Sequence, residues 1–281
     1  MLISDVLATG KLPVFVSIVP QKYFVQRIGK DLVDVHVMVR PGANPATYEP
    51  KPRQMVAISH ANIYFSIGVP FEKAWLNKIA ASNPNMRVVH TDRRIQKIPM
   101  TTQPSHTEME HREKGHQQDG ILDPHIWLSP PLVKQQAHTI LTALQETDPA
   151  HGKMYASNYK AFAAEIEFLH AELKNIFTGR GGLRFMVYHP AWGYFARTYD
   201  LEQVPIEIEG KDPKPAQLKE LITHARETDI KVVFVQPQFS SRSARQVAAE
   251  IDGQVAVVDP LALNWLENLR AVADKFKAAL R

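Results

Sequence analysis

Twelve histidines and no cysteine define the ligand chemistry open to this 281-residue chain. Without thiols, cysteine catalysis, zinc fingers and Cys-ligated clusters drop out, leaving imidazole nitrogen and carboxylate oxygen as candidate donors. Four short segments place such groups, or the gap where one could stand, beside a proline: Asn44-Pro45-Ala46, Asp123-Pro124-His125, His189-Pro190 and Asp259-Pro260. Proline stiffens the loop and restricts the residue before it, so the neighbouring side chain leaves the backbone in a fixed direction. Three of the four carry a metal-type side chain, His125, His189 and Asp259; the fourth, Ala46, has no donor atom. Two imidazoles with one carboxylate suit Zn²⁺, whereas Ca²⁺ and Mg²⁺ call for more oxygens. On spacing alone the same residues also read as two hydrogen-bonding histidines and a capping aspartate.

The elements that must position these groups alternate. Leu12 to Val19 is a short apolar, β-branched run followed by a helical segment to Ile28. Leu32 to Val39 sets Val33, Val35, Val37 and Val39 on one face, as a strand does. Ile63 to Ile67 and Arg87 to His90 complete a first set of four strands, and Arg184 to Tyr188, Gln203 to Ile208, Lys231 to Val235 and Gln254 to Val258 a second. Strands separated by helices predict parallel α/β sheets. Ligands in such sheets bind at the carboxyl ends of the strands, where three of the four proline-flanked segments fall, while Asp123-Pro124-His125 precedes the Ser129-Pro130 start of a helix. Between the two sets, Tyr155, Tyr159, Phe162, Ile166, Leu169, Leu173 and Ile176 recur in alternating steps of four and three, one stripe on a long helix over 149–178. At 1.5 Å per residue that helix is about 45 Å long, enough to span two domains. The expected organisation is an N-terminal lobe over 12–148, a bridging helix over 149–178 and a C-terminal lobe over 179–281.

Ile98 to Gly120 breaks the alternation with prolines, glycines, glutamates and three histidines, His106, His111 and His116. It reads as a long polar loop. Its histidines are five apart and cannot share a helix face. They suit a tether that gathers metal weakly, or simply a solvated loop.

Composition narrows the function classes. A net charge of +4, with basic residues scattered, argues against a nucleic-acid surface. No run approaches the ~18 apolar residues of a membrane span. The first ten residues lack a basic segment followed by an apolar one, so any export leader is expected to have been removed from the numbered chain. Gly179-Arg-Gly-Gly182 precedes a strand instead of following one, which fails the context of a phosphate loop. No His-Glu-x-x-His pattern marks a zinc hydrolase.

Four segments in order carry a resemblance: Arg40-Pro-Gly-Ala-Asn-Pro-Ala-Thr-Tyr-Glu-Pro50, Asp123-Pro-His-Ile-Trp-Leu-Ser-Pro130, Tyr188-His-Pro-Ala-Trp-Gly-Tyr-Phe195 and Val258-Asp-Pro-Leu-Ala262. With the long helix and the His-rich loop before the second segment, they resemble the ZnuA/TroA-type (cluster A-I) metal-binding receptors of ABC transporters. The resemblance runs from Leu12 onward. It implies two (β/α) lobes with parallel sheets bridged by one long rigid backbone helix. The function it implies is that of a periplasmic solute-binding protein, not an enzyme, which captures a transition metal in an interlobe cleft and delivers it to a membrane permease. The expected partners are that permease and the metal ion, with no nucleic acid and the chain acting as a monomer. By position His125, His189 and Asp259 are the implied ligands, and the family's first His falls on Ala46. A His at 189, where manganese-type members resemble one another in carrying Glu, favours Zn²⁺ over Mn²⁺. The place of the missing ligand stays open to water, to His106, His111 or His116, or to Tyr48, Glu209 or Gln236. Two alternatives of different class accompany this reading: a hydrolase using an open His/His/Asp zinc site, and a receptor-like adhesin or apo protein that has lost metal capture.

Overall fold

The structure is a computed structural model and describes residues 10–101, 121–208 and 210–279. Internal packing divides the chain into two compact units. The first comprises residues up to 40, 45–93 and 136–163; the second comprises 41–44, 94–135 and 164–281.

The first unit holds strands β1 (Leu12–Val16), β2 (Val33–Val37), β3 (Ile63–Ser66) and β4 (Arg87–His90), all parallel, in the order β2-β1-β3-β4. The central strands are the most apolar: Val14, Val16, Ile63, Tyr64 and Phe65 are buried. This is the signature of a parallel strand covered on both faces. The edge strand β2 alternates instead, with Val33 and Val35 buried and Asp34 and His36 exposed. Helices α1 (Val19–Gly29), α2 (Pro52–Ile58) and α3 (Pro70–Ser82) connect the strands, and each has a proline in its first turn, where a missing N–H costs nothing. Ala46 lies in the segment after β2, next to Pro45, whose carbonyl accepts from Phe71 N–H.

The second unit repeats the plan with β5 (Arg184–Val187), β6 (Glu202–Pro205), β7 (Val232–Val235) and β8 (Gln254–Val257) in the order β6-β5-β7-β8, again all parallel. Met186, Val204, Val233 and Val247 lie in its core. All eight strands fall within two residues or so of their predicted starts. Helix α4 (Pro130–Thr147) precedes α5 (Gly152–Phe177), the long helix of the sequence, which runs without a break from residues of the first unit into residues of the second. A 3₁₀ turn, Pro149–His151, leads into it. Asp148 accepts from His151 Nδ1 and Tyr155 OH with Oδ2, so the turn is fastened through side chains. Gly179 ends the segment at φ +75°, a left-handed conformation that favours glycine. Helices α6 (Gly193–Thr198), α7 (Pro215–Glu227), α8 (Arg242–Glu250) and α9 (Trp265–Ala279) complete the unit. No helix of the described residues is long and apolar enough to cross a membrane.

Candidate metal centre

His125 and His189 come together in the second unit, their Nε2 atoms 3.4 Å apart. His189 follows the carboxyl end of β5, and His125 opens the 3₁₀ turn Ile126–Leu128 ahead of α4. Neither ring is free to choose its tautomer. Asp123 Oδ1 lies 2.7 Å from His125 Nδ1 and also accepts the His125 backbone N–H at 2.8 Å. Glu207 Oε1 lies 2.6 Å from His189 Nδ1. A carboxylate only accepts, so each Nδ1 carries the proton and each Nε2 keeps its lone pair. Two lone pairs therefore meet across a 3.4 Å gap, a repulsive arrangement until a cation or proton lies between them. Two nitrogens on a tetrahedral zinc, each about 2.0–2.1 Å from the metal, are about 3.3–3.4 Å apart. The pair is spaced as two corners of such a site.

The rings are held from further sides. Gln236, just after β7, accepts the His189 N–H with Oε1 at 3.2 Å and donates Nε2 to the His189 carbonyl at 2.7 Å. Phe239 stacks on the His189 ring with centroids 4.5 Å apart. Tyr194 OH donates to the Asp123 carbonyl and accepts from Ile98 N–H. Burial lowers the His189 pKa below 6.5, and the neighbouring His125 adds to this, while Glu207 and Asp123 pull the other way. The net result favours the neutral ring that a metal needs.

Asp259 follows β8 at the same carboxyl end of the sheet as His189, since every strand of the sheet is parallel. Its Oδ1 accepts from Gln238 Nε2 at 2.8 Å and from Leu261 N–H at 2.9 Å. Trp127 ties the His125 segment to the Asp259 segment: its Nε1 donates to the Pro260 carbonyl at 2.7 Å, and Trp265 Nε1 donates back to the Trp127 carbonyl at 2.6 Å. Among the described residues no three His, Asp or Glu side chains converge as a group able to hold a metal. The structure thus pairs the two histidines and brings the Asp259 segment beside one of them.

The remaining candidates divide. His106, His111, His116 and Glu209 lie outside the described residues. The segments on either side of 102–120 pair with each other, however: Met100 N–H donates to the Ile121 carbonyl and Asp123 N–H to the Ile98 carbonyl, with an antiparallel bridge between Pro99 and Leu122. Tyr48 donates its OH to Gln54 in the first unit, and Gln236 is engaged by the His189 backbone. Other histidines are tied locally, His90 to Ser66, His151 to Asp148 and His170 to Tyr199.

Sequence reasoning did not assign roles to Asp123, Glu207 or Gln238, and it offered Gln236 as a ligand, not as the clasp on the His189 backbone that it forms. A signal existed for Asp123. An Asp two residues before His in Asp-Pro-His readily closes onto the backbone two positions on. For the others the partner is distant in sequence.

A family model described as ZnuA, the periplasmic component A of a zinc-uptake complex, matches residues 14–279. A crystal structure of ZnuA superposes with a TM-score of 0.87 at 43% identity, covering 97% of this chain and all of that one. A ZnuA deletion mutant with zinc bound gives 0.86 at 43% identity, covering 96% of this chain and 98% of that one. The iron-binding protein YfeA of Yersinia pestis is 30% identical over 84% of this chain and 74% of its own length.

Proposed function

This chain belongs to the ZnuA family of periplasmic zinc-uptake components, and on that premise we propose that it captures Zn²⁺ through His125, His189 and Asp259 and delivers it to the permease of an ABC transporter. The carrying observation is the pair of Nε2 lone pairs 3.4 Å apart, each fixed by a carboxylate on the opposite ring nitrogen. Hydrogen-bonding the far nitrogen fixes ring orientation and raises ligand basicity. Zinc is favoured over manganese and iron because the site offers nitrogen first, and oxygen-rich donor sets suit Mn²⁺. A zinc-bound ZnuA at 43% identity supports the same choice, while the iron-binding relative makes metal identity a point for measurement.

The role is binding, not catalysis. A zinc hydrolase needs a base on the metal-bound water, and the carboxylates beside the imidazoles are spent on Nδ1 protons. With alanine at position 46, where the family resemblance places a histidine, water or one of His106, His111 and His116 completes the shell. The pairing of 98–100 with 121–123 tethers that His-rich segment immediately before Asp123 and His125. The protein acts as a monomer outside the cytoplasmic membrane, as a periplasmic family member does.

Calorimetric titration of metal-stripped protein with Zn²⁺ tests the reading. One tight site per chain is expected, weakened by at least about 100-fold in His189→Ala, since even residues supporting a ligand cost 10–100-fold when removed. Unchanged zinc binding in that variant overturns the assignment.

A further inference from the structure

The segment after β7, Gln236-Pro237-Gln238-Phe239, touches both ends of the proposed ligand set. Gln236 clasps the His189 backbone from both sides, and Phe239 stacks on the His189 ring. Gln238, two residues on, reaches Asp259 instead. Pro237 between them fixes the direction of the chain. Gln238 donates Nε2 to Asp259 Oδ1, the orientation an acceptor-only carboxylate requires. The other end of the same amide, Oε1, is buried with no hydrogen-bond partner among the described residues. Leaving a buried acceptor unpaired is costly and calls for an explanation.

The explanation lies in how Asp259 is presented. Its Oδ1 already accepts two hydrogen bonds, from Gln238 Nε2 and from Leu261 N–H. Oδ2 has none among the described residues. A carboxylate so held offers a metal one oxygen, not two. Four-coordinate zinc takes one oxygen from a carboxylate. Cations that prefer six or more ligands gain from both.

Resting on the reading of Asp259 as a ligand, we propose that Gln238 is a specificity-determining positioning residue, which occupies Asp259 Oδ1 so that the aspartate binds through one oxygen and the site favours Zn²⁺ over Mn²⁺. Gln238 does not touch the metal. It sets the denticity of a residue that does.

The test compares Gln238→Met, Asp259→Asn and the double variant of the whole chain, measuring Zn²⁺ and Mn²⁺ affinity by chelator competition and the visible spectrum with Co²⁺. Met keeps the length of Gln and removes the donor. Gln238→Met should lower zinc affinity by about 10–100-fold and manganese affinity less, so that the Zn²⁺/Mn²⁺ ratio drops at least about tenfold. Its Co²⁺ absorption should weaken as the coordination number rises. In the Asp259→Asn background the same change should leave the ratio where it was, since interacting residues are non-additive. If Gln238→Met does not fold, Gln238→Asn, which keeps the donor and shortens its reach, carries the same expectation. An unchanged ratio in Gln238→Met, beside weakened zinc binding in Asp259→Asn, overturns the proposal and leaves the ligand assignment standing. An equal loss with and without Asp259 also overturns it, because Gln238 then acts through packing. Unaltered zinc binding in Asp259→Asn overturns the ligand assignment and this proposal with it.

Discussion

Glu207 Oε1 lies 2.6 Å from His189 Nδ1, while its other oxygen is buried with no hydrogen-bond partner among the described residues. The carboxylate is held for the ring and for little else. Glu207→Gln keeps the size of the side chain but gives it two faces. If its carbonyl meets Nδ1–H, the ring keeps its tautomer with a weaker acceptor. If its amide N–H₂ meets Nδ1, the proton moves to Nε2 and the metal-facing lone pair is lost. Zinc affinity should fall by about 10–100-fold. The unfolding temperature of the metal-free protein should hold or rise, because a poorly satisfied buried carboxylate has been removed. Titration and scanning calorimetry of the same preparation read both. Unchanged affinity would remove Glu207 from the site.

His189 also gives the pH dependence a sign. Burial, with help from His125, lowers its pKa below 6.5 in the folded chain, against the opposing pull of Glu207 and Asp123. The unfolded chain, with an ordinary imidazole, then binds more protons between the two values, so stability rises with pH there. The contribution is fully present above about pH 6.5 and is lost as pH falls through that value toward the lower folded pKa. Metal-free protein should therefore melt progressively lower as the buffer is taken from pH 7.5 to pH 5, and His189→Asn should flatten that slope. Because a ring with a lowered pKa stays neutral further into acid, zinc bound through His189 should survive mild acidification and leave below it. A slope unaltered by His189→Asn would assign the acid sensitivity elsewhere.

The sequence made the strands legible because parallel strands covered on both faces are written as Val, Ile and Phe runs, as at Val14–Val16 and Ile63–Phe65. His125, His189 and Asp259 stood out because each sits beside a proline near the end of an element. What supports them was hidden by distance along the chain. The strand expected over Gln203 to Ile208 would carry Glu207 as an ordinary strand residue. β6 ends at Pro205, though, and the chain bends before Glu207 turns to a ring 18 positions back. Gln236 meets His189 across 47 positions and Trp127 meets Pro260 across 133. No local pattern encodes such pairings; those of Glu207 and Gln236 with His189 follow from the strand order β6-β5-β7-β8, which sets β6 and β7 on either side of β5, the strand that leads into His189.

Trp127 tests that long-range tie. Its indole is buried, donating to the Pro260 carbonyl beside Asp259 and accepting from Trp265 through its own carbonyl. Trp127→Phe retains most of the ring and deletes the donor, leaving a buried carbonyl unpaired at a cost of about 1–3 kcal/mol. With a shift of about 2–4 °C per kcal/mol for a domain of this size, the melting temperature should drop by several degrees. Saturating zinc should recover part of the loss by mass action. Calorimetry with and without zinc measures both, and an unaffected melting temperature would show that the bond holds nothing in place.

Gly193 offers a probe of Asp123 that leaves both histidines untouched. It begins α6, and a Cβ at this position would sit 2.8 Å from Asp123 Oδ2, closer than carbon and oxygen tolerate, with Gln203 Nε2 and Thr101 Oγ1 also near. Asp123 has little freedom to retreat, because it is fully buried and its Oδ1 already serves both the backbone N–H and Nδ1 of His125. Pushing Oδ2 aside must therefore turn the carboxylate and lengthen the bond that fixes the His125 tautomer. Alanine suits a helix better than glycine, by about 0.5–1 kcal/mol, so any loss comes from the contact and not from the backbone. Gly193→Ala should weaken zinc binding by about tenfold, the lower end of the range for residues that orient a ligand. Adding Asp123→Ala removes the oxygen that the new methyl would strike. In that background Gly193→Ala should have no further effect on zinc affinity, and the full cycle, read by calorimetric titration, isolates the contact. A tenfold loss that persists without the Asp123 carboxylate would place the fault in the helix instead.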